Sequence, residues 1–143
     1  MSVWKTYYHL VWATYQRRPL ITETSEPKLY DYITLKCEEL HCPLYAIGGM
    51  SDHLHIVVSI PPNLSIAEFA KRIKGSSPRF MNQCRLGYQF TWQREYGVFS
   101  LGSKQLDRAI NYVQNQKAHH RSGRIHRSIE PEILDSKTQP NED

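Results

Sequence analysis

Three cysteines, Cys37, Cys42 and Cys84, are too few and too irregularly spaced for a disulfide framework. No C-x-x-C pair is present, which argues against the common structural zinc motifs. The chain also lacks an apolar run long enough to span a bilayer and shows no signal-peptide pattern, so a cytoplasmic protein with reduced thiols is expected. Internal repeats and low-complexity tracts are missing as well. Acids are scarce in one long interval: from Lys71 to Arg127 there are twelve Lys and Arg but only two acids, Glu95 and Asp107. The compensating acids lie elsewhere, and the net charge is only +4. Such asymmetry is the electrostatic footprint of a polyanionic partner.

What remains is ordinary for a globular chain of 143 residues, 40% hydrophobic and 11% aromatic, which suits one domain around one core. That domain is expected over residues 1–130, with a polar tail over 131–143. Residues 6–15 are aromatic and β-branched and read as a first strand, broken at Arg17-Arg18-Pro19. Pro27 suits the first turn of a helix, and Leu29, Ile33, Leu35 or Lys36, and Leu40 give it an apolar face to about residue 41. A short strand follows over 43–47. The run Gly48-Gly49-Met50-Ser51-Asp52 reads as a tight connection to a strand beginning at His53, making a hairpin. Ser65 and Glu68 form a capping box for a helix whose stripe is Ile66, Phe69, Ala70 and Ile73, interrupted at Gly75-Ser76-Ser77-Pro78 and partly helical beyond it to about Cys84. Residues 89–100 contain at least one more strand. Ser103 is placed to cap a last helix from Lys104 to about Arg121. The order β-α-β-β-α-β-α predicts an α+β, ferredoxin-like (RRM-like) antiparallel sheet with helices on one face and the last helix near the other.

Chemistry-bearing residues gather on that open face. In His53-Leu54-His55 the two imidazoles point the same way, while Leu54, Ile56 and Val58 point to the core. Two adjacent imidazoles can share a metal ion. On the last helix Tyr112, Gln116 and His119 or His120 fall at i, i+4 and i+7 or i+8, on one stripe. A phenol has an ordinary pKa of about 10, so its attack on a phosphodiester at neutral pH needs help with the proton and a cation for the phosphate charge. Asp52 stands next to His53 as a ligand or as an acceptor for an imidazole N–H.

These segments, with Phe90-Thr91-Trp92-Gln93 and Tyr96-Gly97-Val98-Phe99-Ser100, resemble the single-tyrosine HUH transposases of small insertion sequences, over roughly residues 4–122. The resemblance implies that Tyr112 is a nucleophile that becomes joined to a DNA 5′ phosphate while a 3′ hydroxyl leaves. It implies that His53, His55 and Gln116 hold Mg²⁺ or Mn²⁺, with His119, His120 and Asp52 as further candidates. It implies cleavage of single-stranded DNA beside hairpins by a homodimer, in which the tyrosine helix can serve the partner's histidines. Arg17, Arg18, Lys71, Arg72, Lys74 and Arg79 are the expected DNA contacts, and Trp92, Tyr96 and Phe99 are candidates for stacking on bases. The competing expectation is a non-cleaving hairpin binder of the same fold. A replication-initiation nuclease with the same histidine pair usually has a longer chain.

Overall fold

The computed structural model describes residues 3–117. Its elements are β1 (Tyr7–Ala13), α1 (Ser25–Glu39), β2 (Leu44–Met50), β3 (His53–Ser59), α2 (Ile66–Gln83), β4 (Gly97–Leu101) and α3 (Leu106–Gln114). The strands form one sheet in the order β2-β3-β1-β4, antiparallel at each pairing. The expected α+β succession and the β2–β3 hairpin are both present.

The pleat divides the molecule into two unequal packing layers. Leu10 and Trp12 of β1 and Leu54, Ile56 and Val58 of β3 face α1 and α2, where Leu29, Ile33, Phe69, Ile73 and Met81 complete the main core. On the other face Ala46 and Val57 meet Ala109 and Val113 of α3. All seven residues of β3 are buried, because both faces of this strand are covered.

Four elements differ in detail from the sequence expectation. In α1 the stripe is Leu29, Ile33 and Cys37, while Leu35 is exposed. The helix ends in a Schellman turn: His41 takes φ +58°, its N–H reaches Glu38 O at 3.0 Å, and Cys42 N–H reaches Cys37 O at 2.9 Å. That turn brings Cys42 back towards Cys37, and burial beside Cys42 pushes the Cys37 thiol up to about 12.

Strand β2 runs to Met50, so Gly48 and Gly49 belong to the strand and only Ser51 and Asp52 connect the hairpin. Gly48 is required there by a close approach: a Cβ at this position would overlap the Val113 carbonyl oxygen of α3.

Helix α2 continues through Pro78, although proline removes a backbone bond and crowds the preceding turn. Tertiary anchors outweigh that cost. Ser77 Oγ accepts from the buried Trp92 Nε1 at 2.8 Å, and Ile73, Pro78 and Met81 are buried on either side. Its N-terminus behaves as expected, with Ser65 Oγ accepting from Glu68 N–H at 3.0 Å.

The last helix is preceded by a short 3-10 turn at Ser103–Gln105 rather than opened by Ser103. Gln105 Oε1 accepts from Gly102 N–H at 2.8 Å. The expected continuation to Arg121, His119, His120 and the tail lie outside the described residues.

Candidate active site

The register of the sheet assembles the site. His55 lies between Val11 of β1 and Gly48 of β2, and Ala13 and Met50 flank His53. These small or flexible neighbours leave room for α3 to cross the sheet above the imidazoles. The alternation that sends Leu54 and Ile56 to the core sends His53 and His55 to the α3 face, where both are fully buried.

Each imidazole has a partner at Nδ1. His53 Nδ1 is 2.8 Å from Asp52 Oδ1, and Asp52 Oδ2 in turn accepts from Arg17 Nε at 3.0 Å, with Arg17 Nη2 also 3.0 Å away. Burial opposes ionisation of Asp52. The hydrogen bond and charge of His53, together with the Arg17 guanidinium, outweigh it and hold the carboxyl below its ordinary range. An ionised Asp52 requires a His53 proton on Nδ1, and turns Nε2 to the far side of the ring.

That Nε2 faces Gln116 Oε1 at 3.2 Å. The Gln116 amide is set by a long contact from its Nε2 to Tyr112 O at 3.5 Å. When His53 is charged its Nε2–H donates to Gln116 Oε1; when it carries a proton on Nδ1 alone, two acceptors face each other in a buried place. A cation relieves such a pair, and two ligand atoms about 2.1 Å from one metal at right angles lie roughly 3 Å apart. The donor set of two imidazoles and one amide would suit a divalent ion that also takes oxygen ligands. Among the described residues no group of three or more His, Cys, Asp and Glu side chains forms a metal cage.

Tyr112 is buried directly over the histidines. Its ring centroid is 5.8 Å from that of His55, nearly perpendicular to it, and 6.5 Å from that of His9. Lys117 Nζ bonds Glu26 Oε2 of α1 at 2.9 Å and pins the segment that carries Gln116. Tyr112, Gln116, His53 and His55 of one chain are therefore brought together.

His9 was not among the residues singled out in the sequence. It is buried on β1, and its Nε2 is 2.8 Å from His55 Nδ1. The available signal was strand alternation, which puts His9, Val11 and Ala13 on one face of the strand beside β3. Gln93 was noted only for its motif. Its Oε1 accepts from Gln16 N–H at 2.9 Å, steadying a turn in which Gln16 and Arg17 take φ +52° and +53°. That turn presents Arg17 to Asp52.

The expected DNA contacts divide. Arg17 is engaged with Asp52, so its place is behind His53. Lys74 is 2% exposed, and its Nζ donates to Arg94 O at 2.8 Å and Glu95 O at 3.0 Å. It ties α2 to the segment before β4 and is not presented to a phosphate. Lys71, Arg72, Arg79 and Arg18 are exposed, with Arg72 paired to Glu68 and Arg18 lying over the Tyr15 ring. Trp92 is a core residue packed edge-on to Trp12 and Phe90, which removes it from base stacking. Tyr96 and Phe99 are partly exposed.

A strand pair of histidines beneath a tyrosine-bearing helix, on an antiparallel α+β sheet, defines the HUH class of single-tyrosine DNA transposases. The chain belongs to the family described as Transposase IS200 like, whose model matches residues 2–116. It is 24% identical over 119 residues to the transposase for insertion sequence element IS200 of Salmonella typhimurium, covering 79% of this chain and 78% of that one. It is 22% identical over 120 residues to the ISDra2 transposase TnpA of Deinococcus radiodurans, covering 80% and 86%. A solved putative transposase from Deinococcus radiodurans superposes with TM-score 0.67 at 26% identity, over 80% of this chain and 93% of that one. A REP-associated tyrosine transposase bound to a REP hairpin shares the fold, with TM-score 0.62 at 16% identity over 87% and 76%. Among the described residues no helix is long and apolar enough to cross a membrane.

Proposed function

We propose that this chain, on a ferredoxin-like (RRM-like) scaffold, is a metal-dependent endonuclease and strand-transferase for single-stranded DNA. The observation that carries the reading is the approach of Gln116 Oε1 to His53 Nε2 at 3.2 Å, with the Tyr112 ring over the neighbouring His55. His53, His55 and Gln116 would hold Mg²⁺ or Mn²⁺, which when bound would supply charge neutralisation at the scissile phosphate.

Tyr112 is the nucleophile. Its phenol oxygen forms a bond to the phosphorus and gives up its proton, the bond from phosphorus to the 3′ oxygen breaks, and the departing oxygen takes up a proton. The product is a 5′-phosphotyrosine and a free 3′ hydroxyl, which in reverse joins a new strand. Burial of Tyr112 keeps water from competing for the phosphate.

The substrate is a DNA strand with a hairpin at an element end. The support is the basic excess after Lys71 and the relative whose structure holds a REP hairpin. Exposed Lys71, Arg72 and Arg79 on α2, with Arg18, are the phosphate contacts of this reading. The working form is a homodimer whose two active sites can exchange their tyrosine helices.

The decisive experiment incubates the full chain with hairpin-bearing single-stranded DNA and Mn²⁺ or Mg²⁺, and follows covalent protein–DNA adducts on denaturing gels. An adduct with the wild-type chain that disappears in Tyr112→Phe is expected. Persistence in that variant removes Tyr112 from its role. Tight hairpin binding without any adduct from the wild-type chain replaces the enzyme with a non-cleaving binder. Activity regained on mixing Tyr112→Phe with His53→Ala identifies a site shared between two chains, and no recovery confines it to one.

A further inference from the structure

The two histidines of the pair are supported unequally. His53 rests on a carboxylate, itself on a guanidinium. His55 rests on another imidazole: its Nδ1 meets His9 Nε2 at 2.8 Å, with the ring centroids 5.0 Å apart. His9 is held from both sides, by the Phe99 ring of β4 at 5.9 Å and by the Tyr112 ring of α3 at 6.5 Å. It is 1% exposed, and His55 is fully buried. Bulk water therefore cannot take the place of His9 at His55 Nδ1.

We propose that His9 is a positioning residue that fixes the tautomer and ring orientation of His55. The inference rests on the metal-site reading above. A histidine that binds a cation through Nε2 must carry its proton on Nδ1, and that proton needs an acceptor. His9 Nε2 is that acceptor, so the His9 proton sits on its own Nδ1. His9 does for His55 what Asp52 does for His53, but as a neutral group. The two supports come from different parts of the fold, β1 and the β2–β3 turn.

The test uses the full metal-free chain at about pH 8, long-range ¹H–¹⁵N NMR of the histidine rings, and Mn²⁺ titration by calorimetry. The wild-type His55 is expected to carry its proton on Nδ1. In His9→Phe, which keeps an apolar ring but removes the acceptor, that tautomer is lost and Mn²⁺ binds about 10–100-fold more weakly. In His9→Gln, whose carbonyl oxygen can accept, the tautomer and Mn²⁺ affinity return towards wild type.

A wild-type His55 protonated on Nε2, or a folded His9→Phe that binds Mn²⁺ as tightly as wild type, overturns the inference. So does a His9→Gln chain no better than His9→Phe. Should His9→Phe fail to fold, the wild-type tautomer and His9→Gln still decide. A wild-type chain that binds no Mn²⁺ defeats the metal-site reading instead, and the tautomer measurement still decides the role of His9.

Discussion

Gln116 is 63 residues from His53 in sequence, yet its Oε1 lies 3.2 Å from His53 Nε2. Nothing local links them. One side chain is fixed by the turn that opens β3, the other by the segment that follows α3, and they meet only because α3 crosses the sheet on a glycine. A site divided in this way depends on the docking of one helix as much as on its own side chains.

Gln116→Leu should weaken Mn²⁺ binding tenfold or more while leaving the melting temperature nearly unchanged, because the opposing acceptor is lost without a large void. Gln116→Glu should strengthen binding, since a carboxylate adds charge to the ligand set. Calorimetric titration of the two variants checks both directions.

Asp52 gives a pH signature. Its pKa is lowered in the folded chain, so its contribution to stability is present above the ordinary carboxylate value near 4 and is lost as pH falls below it. Asp52→Asn should lower stability at pH 7 by about 1.5–3 kcal/mol, the range for hydrogen bonds to charged groups. It should also lose less stability between roughly pH 4 and pH 2. Denaturant melts across that window would reveal a slope equal to wild type if the carboxylate were unimportant.

Gly48→Val should lift α3. The new side chain meets the Val113 carbonyl, and relief of such overpacking costs about 1–3 kcal/mol. The main core lies on the other face of the sheet, so far-UV circular dichroism should retain sheet and helix signals while adduct formation falls sharply. Full activity in this variant would show that the close approach is dispensable.

The basic residues of α2 separate by salt dependence. Lys71→Ala and Arg79→Ala should each reduce the slope of log binding constant against log salt by about one on hairpin DNA. Lys74→Met should leave that slope alone and destabilise the fold by about 1–3 kcal/mol, since two backbone carbonyls lose the buried donor they share. Filter binding at several salt concentrations, with thermal melts alongside, distinguishes the two kinds of lysine.

Local pattern was enough for much of this molecule. The alternation in His53-Leu54-His55 and the capping pair Ser65 and Glu68 say what their segments do, because strand pleat and helix ends are properties of neighbours in sequence. Gly48 and Gly49 misled for the opposite reason: glycines next to Ser51 and Asp52 look like a turn, and only the approach of α3 to Gly48 and of the β3 backbone to Gly49 shows why a strand needs them. Pro78 misled likewise, since Ser77 and Trp92 hold the helix together across it. Lys74 was taken for a surface charge because sequence does not show that Arg94 and Glu95 turn their carbonyls towards it. His9 was visible in principle, but its meaning depends on which strand lies beside β3.

On β3, neighbouring residues answer to opposite masters: Leu54 and Ile56 to the main core, His53 and His55 to the face under α3. A slip of this strand by a single residue would exchange the two sets, turning imidazoles into the core and leucine towards α3. The register that builds the main core therefore also sets the face on which the imidazoles stand, and the histidines can be substituted one at a time without disturbing it.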